Sequence, residues 1–313
     1  MESLSTPTGC ITSSLPEEKW WESDEPVYQF NGFWFRLSYL RGVQQVLEHF
    51  KPLATDVILA SFPKTGTTWL KSLLYSIINR SSKESLISNH PHELVPSLEL
   101  QLYKKPQVDT STTEIVPSTG TRVFSTHIPY QLFTDHSIRS SECKIVYITR
   151  NPKDTLNSFW HFVSKSGRET WPLEVAVDKF CDGIVPFGPY YDHVLGYRKE
   201  SLERPQKVLF VTYEKLQTDT KTSVKKLGEF LGCPFDKEQE VEDIVKSCSI
   251  ATLKKHEVNK SSDFTRWIEL PYNSFFRQGG LGDHKNYMSA QMIKRIDAIT
   301  LEKFHESGFV YGI

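Results

Sequence analysis

The sequence predicts an α/β fold: one domain with a central parallel sheet flanked by helices. Three observations carry that prediction. Short apolar runs recur at Val57–Phe62, Arg122–Ser125, Lys144–Thr149 and Val208–Thr212, and runs of that length bounded by turn residues read as buried strands. Amphipathic helical patterns alternate with them. The clearest is Leu70, Leu73, Leu74, Ile77 and Ile78, spaced i, i+3, i+4, i+7 and i+8. Two of the strands run directly into a polar turn and then a helix, at residues 63–68 and 150–154.

Taken in order, residues 1 to about 20 are rich in Ser, Thr, Pro and Glu and are expected to be mobile, leaving 21–313 as the folded domain. Trp20, Trp21, Tyr28, Phe30, Phe33, Trp34 and Phe35 follow. They read as core and helix-packing aromatics, with lining of an apolar pocket as the alternative. Leu40 to Phe50 carries a helical apolar face. Residues 81–121 lack periodicity and hold four prolines, which reads as a loop-rich excursion of the kind that forms lids and substrate walls. After residue 213, Val224, Leu227, Phe230 and Leu231 mark a helix stopped by Gly232 and Pro234. Val241 to Cys248 marks another, and Met288 to Phe304 a charged C-terminal one.

The chemistry concentrates where strands meet helices. At Pro63-Lys64-Thr65-Gly66-Thr67-Thr68 the first N–H groups of a helix lack partners and carry the positive end of its dipole. Lys64 adds a full charge and the threonines add hydroxyls, so this turn is a phosphate-type cradle. It is not a Walker A loop, in which the lysine follows the second glycine. The turn after Lys144–Thr149 is a second such site, with Arg150 at its mouth, Asn151 as N-cap, Pro152 at the first helical position and Ser158 in the second turn. Arg150 alone would equally suit a surface salt bridge; a guanidinium and a hydroxyl together suit a phosphate. His127 follows a strand and precedes Pro129. It is either a structural histidine or a group that takes a proton near neutral pH. His193, in an apolar helix, reads as structural. Phe275–Tyr287 is glycine-rich, and such turns let backbone N–H groups approach an oxyanion.

The bulk numbers exclude several classes. A net charge of −1 over 313 residues argues against a nucleic-acid binder that works through a basic surface. No apolar window is long enough for a membrane span, and the acidic N-terminus lacks a secretory core, so a cytoplasmic location is expected. Five scattered cysteines without ligand spacing fit a reducing compartment.

Several of these stretches resemble the cytosolic sulfotransferases. Phe62–Trp69, FPKTGTTW, is similar to the family's YPKSGTTW; Ser125–Tyr130 to its THxP element; and Arg150–Trp160 to its RNPKDxxxSxW. Asn89–Glu99, NHPHELVPSLE, resembles the NPHxxVPxxE of plant members. Gly188–Arg198, Cys248–Lys254 and Phe276–Asn286 resemble GPxxxHxLxYW, CSFxxLK and FRKGxxGDWKN. The departures there are Arg198 for tryptophan, Ile250 for phenylalanine, Gln278 for lysine and His284 for tryptophan. The resemblance implies the donor 3′-phosphoadenosine 5′-phosphosulfate (PAPS) as co-substrate, no metal, and a small hydroxylated acceptor such as a flavonoid, steroid or hydroxyjasmonate. It implies His127 as base and Lys64 on the bridging oxygen, with Thr65, Gly66, Thr67 and Thr68 around the 5′-phosphate. It also implies Arg150, Ser158, Arg277, Gln278 and Gly279 around the 3′-phosphate, and Trp69 and Tyr213 beside the adenine. Two rival readings remain from the residues themselves: a P-loop-like kinase using ATP and Mg²⁺, and a non-catalytic or weakened nucleotide-binding homologue motivated by Ile250, Gln278 and His284. The acceptor's identity and the oligomeric state are not encoded in any motif.

Overall fold

A computed structural model describes residues 14–20, 25–80, 85–104, 120–134, 136–165, 172–265, 267–268 and 270–311. Most of the N-terminal segment expected to be mobile, residues 1–13, and Trp21 lie outside the described residues, as do 81–84 and 105–119 of the expected loop.

The described residues form two sheets. The first is antiparallel: β1 (Glu17–Glu18), β2 (Val27–Phe30) and β3 (Phe33–Arg36). β2 and β3 are joined by Asn31 and Gly32 at φ 48° and 83°. Two consecutive left-handed residues form the primed turn that matches strand twist, and Asn-Gly is its preferred pair. The aromatic stretch is therefore a hairpin, a feature that packing considerations alone do not reveal. Phe33, Trp34 and Phe35 enter the core. Trp34 also exchanges backbone hydrogen bonds with Phe187 and Gly188, 2.7 and 2.8 Å, which fixes that distant loop.

The second sheet is the parallel one expected: β4 (Val57–Ser61), β5 (Val123–Thr126), β6 (Lys144–Thr149) and β7 (Val208–Thr212), in the order β5-β4-β6-β7. β4 pairs with a parallel neighbour on each side and all five of its residues are buried. Its side chains alternate between two apolar layers, as a strand's period of two requires. Ile58 and Ala60 join one layer with Ile145 and Tyr147; Val57 and Leu59 join the other with Val146 and Ile148. Helix α1 (Leu37–His49) packs on the first layer through Leu40, Val43 and Val46, and α2 (Thr67–Ile78) on the second through Leu70, Leu73, Leu74 and Ile77. The Thr220–Leu231 helix ends at Gly232, φ 76°, as its glycine predicts, and the C-terminal helix spans Ala290–His305. Within the loop-rich excursion the described residues form short turns of helix at Ser85–Ser88 and Pro91–Leu94 and a π-helical turn at Leu98–Leu102.

β4 comes first in sequence, and the chain then visits β5 on one side and β6 on the other. Such a switch point opens a crevice at the carboxyl ends of the strands, where α/β proteins bind ligands.

Candidate active site

A cavity of about 670 Å³ occupies that crevice. It is lined by Lys64, Gly66, Thr67, Thr68, Trp69, His127, Arg150, Ser158, Tyr213, Arg277, Gln278 and Gly279, residues drawn from 216 positions of sequence and gathered by the strand ends. Thr65 is the exception among the expected residues. It is fully buried and its hydroxyl lies 2.8 Å from the Phe62 carbonyl and 2.9 Å from that of Ile148. Its side chain braces the turn against β6 and does not add a hydroxyl to the cavity, so two threonine hydroxyls border the cradle, not three.

The cradle turn is conformationally demanding. Lys64 sits at φ 72°, in the left-handed region that non-glycine residues seldom occupy, and Gly66 at φ 116°. A Cβ on Gly66 would lie 2.6 Å from Cδ2 of Tyr213, so only glycine fits beneath that ring. The Lys64 ammonium stands 3.7 Å from the centroid of Phe162. Burial, reinforced by Arg277, Lys165 and Arg150, pulls its pKa down to about 7. A buried lysine with further cations gathered around it is a site poised for a polyanion.

Tyr213 joins the second turn to the first. Its ring meets Trp69 edge-on at 5.5 Å and carries the Arg150 guanidinium at 4.6 Å, and its hydroxyl donates to the Gly279 carbonyl at 2.7 Å. Arg150, nearly fully buried, donates to the Gly280 carbonyl at 2.7 Å and lies 3.5 Å from Asp154. The helix Pro152–Ser164 is capped by Asn151, whose side chain accepts from the Lys153 N–H. Asp154 in its first turn accepts from the Gly282 N–H at 2.7 Å and from His284 Nδ1 at 2.7 Å. His284, which stands where the resembling motif has tryptophan, thus ties the glycine-rich turn to the Arg150 helix. Gly279, φ 72°, abuts Ile250: an added Cβ would lie 2.3 Å from its Cδ1. Ile250 fills the wall beside the Trp69 and Tyr213 rings. Arg198 lies outside the cavity, its guanidinium 5.5 Å from Phe210 and 5.7 Å from Phe309.

His127 stands at the end of β5. Its Nδ1 is 2.7 Å from the Ser61 carbonyl, which only accepts, so Nδ1 carries the proton and the Nε2 lone pair is left for the cavity. Burial is the main cause that lowers its pKa to about 3, with Lys71, His193 and Lys64 adding to it against the bond to Ser61. The ring is held from behind: Glu99 accepts from the His127 N–H at 2.8 Å and the Thr126 hydroxyl at 2.9 Å, and the His127 carbonyl accepts from His193 Nε2 at 3.0 Å. His193 is thereby structural, as expected. The cavity wall also carries apolar and aromatic side chains, among them Trp20, Tyr39, Phe159, Phe187, Trp267 and Leu270, with the Arg36–Glu25 ion pair beside Tyr39.

Two polar groups of the cavity wall, Lys71 and His92, escape motif reasoning, as does the buried Glu99 behind His127. Lys71 occupies α2 one turn beyond Thr67, inside a run that reads simply as an amphipathic helix. His92 and Glu99 belong to a stretch that carries a family resemblance but no chemical signature of its own. A lysine interrupting the buried face of a helix is the one signal that was available.

Burial lowers the pKa of His90 and His127 to about 3, of His193 to about 4, and of His92 well below its ordinary value. Unfolded histidines protonate near 6.5, so from there down to about 4 the unfolded chain binds more protons and stability falls with pH, by up to ~1.4 kcal/mol per group per pH unit. Glu99 and Glu214, raised by burial, oppose this between their folded pKa values and the ordinary carboxyl value. Urea midpoints are expected to drop steeply between pH 7 and pH 5; an unchanged midpoint would contradict neutral buried imidazoles.

The comparisons with known proteins agree with one another. The model of the sulfotransferase domain family matches residues 54–308. Cytosolic sulfotransferase 5 of Arabidopsis thaliana is 40% identical over 324 residues, covering 99% of this chain and 98% of that protein. Cytosolic sulfotransferase 12 of the same plant is 41% identical over 321 residues, covering 99% and 96%. Among solved structures, an Arabidopsis protein assigned as a steroid sulphotransferase superposes with a TM-score of 0.75 at 37% identity over 96% of this chain and 94% of its own. Mouse sulfotransferase SULT7A1 complexed with PAP gives 0.69 at 26% identity, over 90% and 95%.

Proposed function

Because this chain belongs to the sulfotransferase family, we propose that it transfers the sulfuryl group of PAPS to a hydroxyl of a small, largely apolar acceptor, with His127 as general base. The observation that carries the reading is the fixed tautomer of His127: a neutral imidazole whose Nε2 is left for a cavity lined by both cations and aromatic rings. The cations Lys64, Arg150 and Arg277 suit a donor with two phosphate groups. Lys64 and the first N–H groups of α2 hold the 5′-phosphosulfate; Arg150, Ser158, Arg277 and Gly279 hold the 3′-phosphate, with Gln278 beside them. Trp69 and Tyr213 frame the adenine, Ile250 packing where a stacking ring would otherwise stand.

In the reaction the acceptor oxygen bonds to sulfur as the bond from sulfur to the bridging phosphate oxygen breaks. His127 Nε2 takes the hydroxyl proton, and the Lys64 ammonium offsets the charge that develops on the departing oxygen. Burial first, and then the nearby lysines, keep His127 unprotonated beforehand; the incoming donor's negative charge then favours the imidazolium that forms. The aromatic side chains of the lining fit a planar ring system, and the steroid description of the Arabidopsis neighbour supports including steroids among the candidates. A cytoplasmic location is supported by the names of the plant relatives, and residues 21–313 are read as one catalytic unit.

Titration calorimetry with PAP in the absence of metal, against Mg-ATP, tests the donor, and a panel of hydroxylated aromatics and steroids tests the acceptor. PAP is expected to bind at least tenfold more tightly, a gap of about 1.4 kcal/mol. Preference for Mg-ATP would replace this reading with a kinase, and PAP binding without turnover of any acceptor would replace it with the nucleotide-binding homologue.

A further inference from the structure

Lys71, His92 and Thr68 form a continuous chain along the cavity wall. The Lys71 Nζ is 2.9 Å from His92 Nδ1, and His92 Nε2 is 3.0 Å from Thr68 Oγ1. All three line the cavity, and Lys71 is 1% exposed. Among the described residues the ammonium has no other hydrogen-bond partner and no carboxylate within ion-pair distance. The local sequence fixes the arrangement. His90 caps the turn Pro91–Leu94, with Pro91 at its first position, and this aims the His92 ring at α2.

The direction of the chain follows from the donor inventory. An ammonium can only donate, so His92 Nδ1 must accept and the proton of the neutral ring resides on Nε2. Nε2 then donates to Thr68 Oγ1, and the hydroxyl proton of Thr68 is left to point into the cradle. We propose that Lys71 and His92 are positioning residues for donor binding: a buried positive charge, relayed through one imidazole, holds the Thr68 hydroxyl as a hydrogen-bond donor to the donor molecule's 5′-phosphate. This rests on the reading of PAPS as donor. A chain of aligned hydrogen bonds is polarised from its charged end, so the Thr68 hydroxyl is a stronger donor than an isolated threonine.

The relay runs in this direction only while Lys71 is protonated. A neutral amine would accept from Nδ1–H, leaving Nε2 to accept from Thr68 and turning its proton away from the ligand. Burial pulls the Lys71 pKa down to about 7, against the opposing field of Glu99. The groups that face it are Glu99 from the Leu98–Leu102 turn, His90 and His92 from the Pro91–Leu94 turn, and His127 from the end of β5, the three imidazoles being neutral at that pH. Lys64 across the cradle is pulled down to a similar value. A bound polyanion raises the affinity of both lysines for protons. PAP binding therefore takes up protons above pH 7, and affinity falls as pH rises from there.

The experiment is PAP calorimetry on the full chain at pH 6.5 and 8.5, in two buffers of different ionisation enthalpy, for the wild type, Lys71→Met, His92→Gln, His92→Leu and Thr68→Val. At pH 6.5, Lys71→Met, His92→Leu and Thr68→Val are each expected to weaken binding by about tenfold, the worth of one charge-assisted hydrogen bond. Lys71→Met is also expected to take up fewer protons at pH 8.5 than the wild type. His92→Gln, whose amide can accept at one end and donate at the other, is expected to stay near wild type. The double variant Lys71→Met/Thr68→Val should bind no more weakly than either single one, because both act through one hydroxyl. Wild-type affinity and proton uptake in Lys71→Met would overturn the relay, as would additive losses in the double variant. Should Lys71→Met fail to fold, the two His92 variants decide alone: equal affinity for glutamine and leucine would overturn it. Failure of the wild type to bind PAP would instead remove the underlying donor assignment.

Discussion

Replacement of His127 by alanine is expected to lower kcat by roughly 10²- to 10⁴-fold, the usual worth of a positioned general base, while PAP binds within about threefold of the wild type. The split between chemistry and binding follows from position. Among the described residues His127 hydrogen-bonds toward the cradle only at Ser61, the last residue of β4, through its carbonyl at 2.7 Å and its hydroxyl at 3.3 Å. The groups assigned to the donor sit on other strand ends. Asparagine is the informative control, because its amide can still donate to Ser61 but offers no basic nitrogen to the acceptor. Both variants should be comparably inactive in single-turnover measurements at saturating donor. If either retains more than about a tenth of the wild-type rate, the proton goes elsewhere and His127 is a structural neighbour of Glu99 and His193.

The second large effect is expected at Arg150. Alanine there should raise the Kd for PAP by roughly 10- to 100-fold, since hydrogen bonds to charged groups are worth about 1.5–3 kcal/mol. At saturating donor, kcat should change far less. The effect has two sources. The guanidinium is lost to the ligand, and its tie to Gly280 and its packing on Tyr213 are lost to the glycine-rich turn. Lysine should fall between, keeping the charge without the planar fork. Unchanged PAP affinity in a folded Arg150→Ala protein would remove this end of the cavity from the donor site.

The sequence carried the parallel sheet because β4, β5 and β6 are buried on both faces and β7 at least partly, so that they read as apolar runs, while the helices between them show a clean periodicity. It carried the cradle because Lys64, Gly66 and the threonines are contiguous, so that local spacing is site geometry. It did not carry the hairpin at Asn31-Gly32, where a dense set of aromatics hides a turn signal two residues long. Nor did it carry the opposite orientations of Thr65 and Thr68. Adjacent hydroxyls look alike in a motif, and only the packing of Phe62 and Ile148 around the first, and of His92 against the second, separates them. Lys71 and His92 are 21 residues apart and belong to different elements, so nothing local to either announces the pair. The departures Gln278, His284 and Ile250 read from sequence as losses. Two of them have new partners in the fold: His284 bonds to Asp154, and Ile250 packs on Gly279.

The ladder that pairs Ala60 with Thr126 and Ser61 with Ile148 has a bearing on how this protein can diversify. Lys64, His127 and Arg150 each follow the end of one of three adjacent strands, and neighbouring strands are locked about 4.8 Å apart by main-chain bonds that do not depend on side-chain identity. The aromatic wall, by contrast, comes from the N-terminal hairpin region, the Pro186–Phe187 turn and the segment around Trp267, which attach to that frame from outside. Changes accumulating in these walls can exchange one acceptor for another without altering the spacing on which the transfer step depends. A lineage built on this frame is free to explore new substrates while its chemistry stays still.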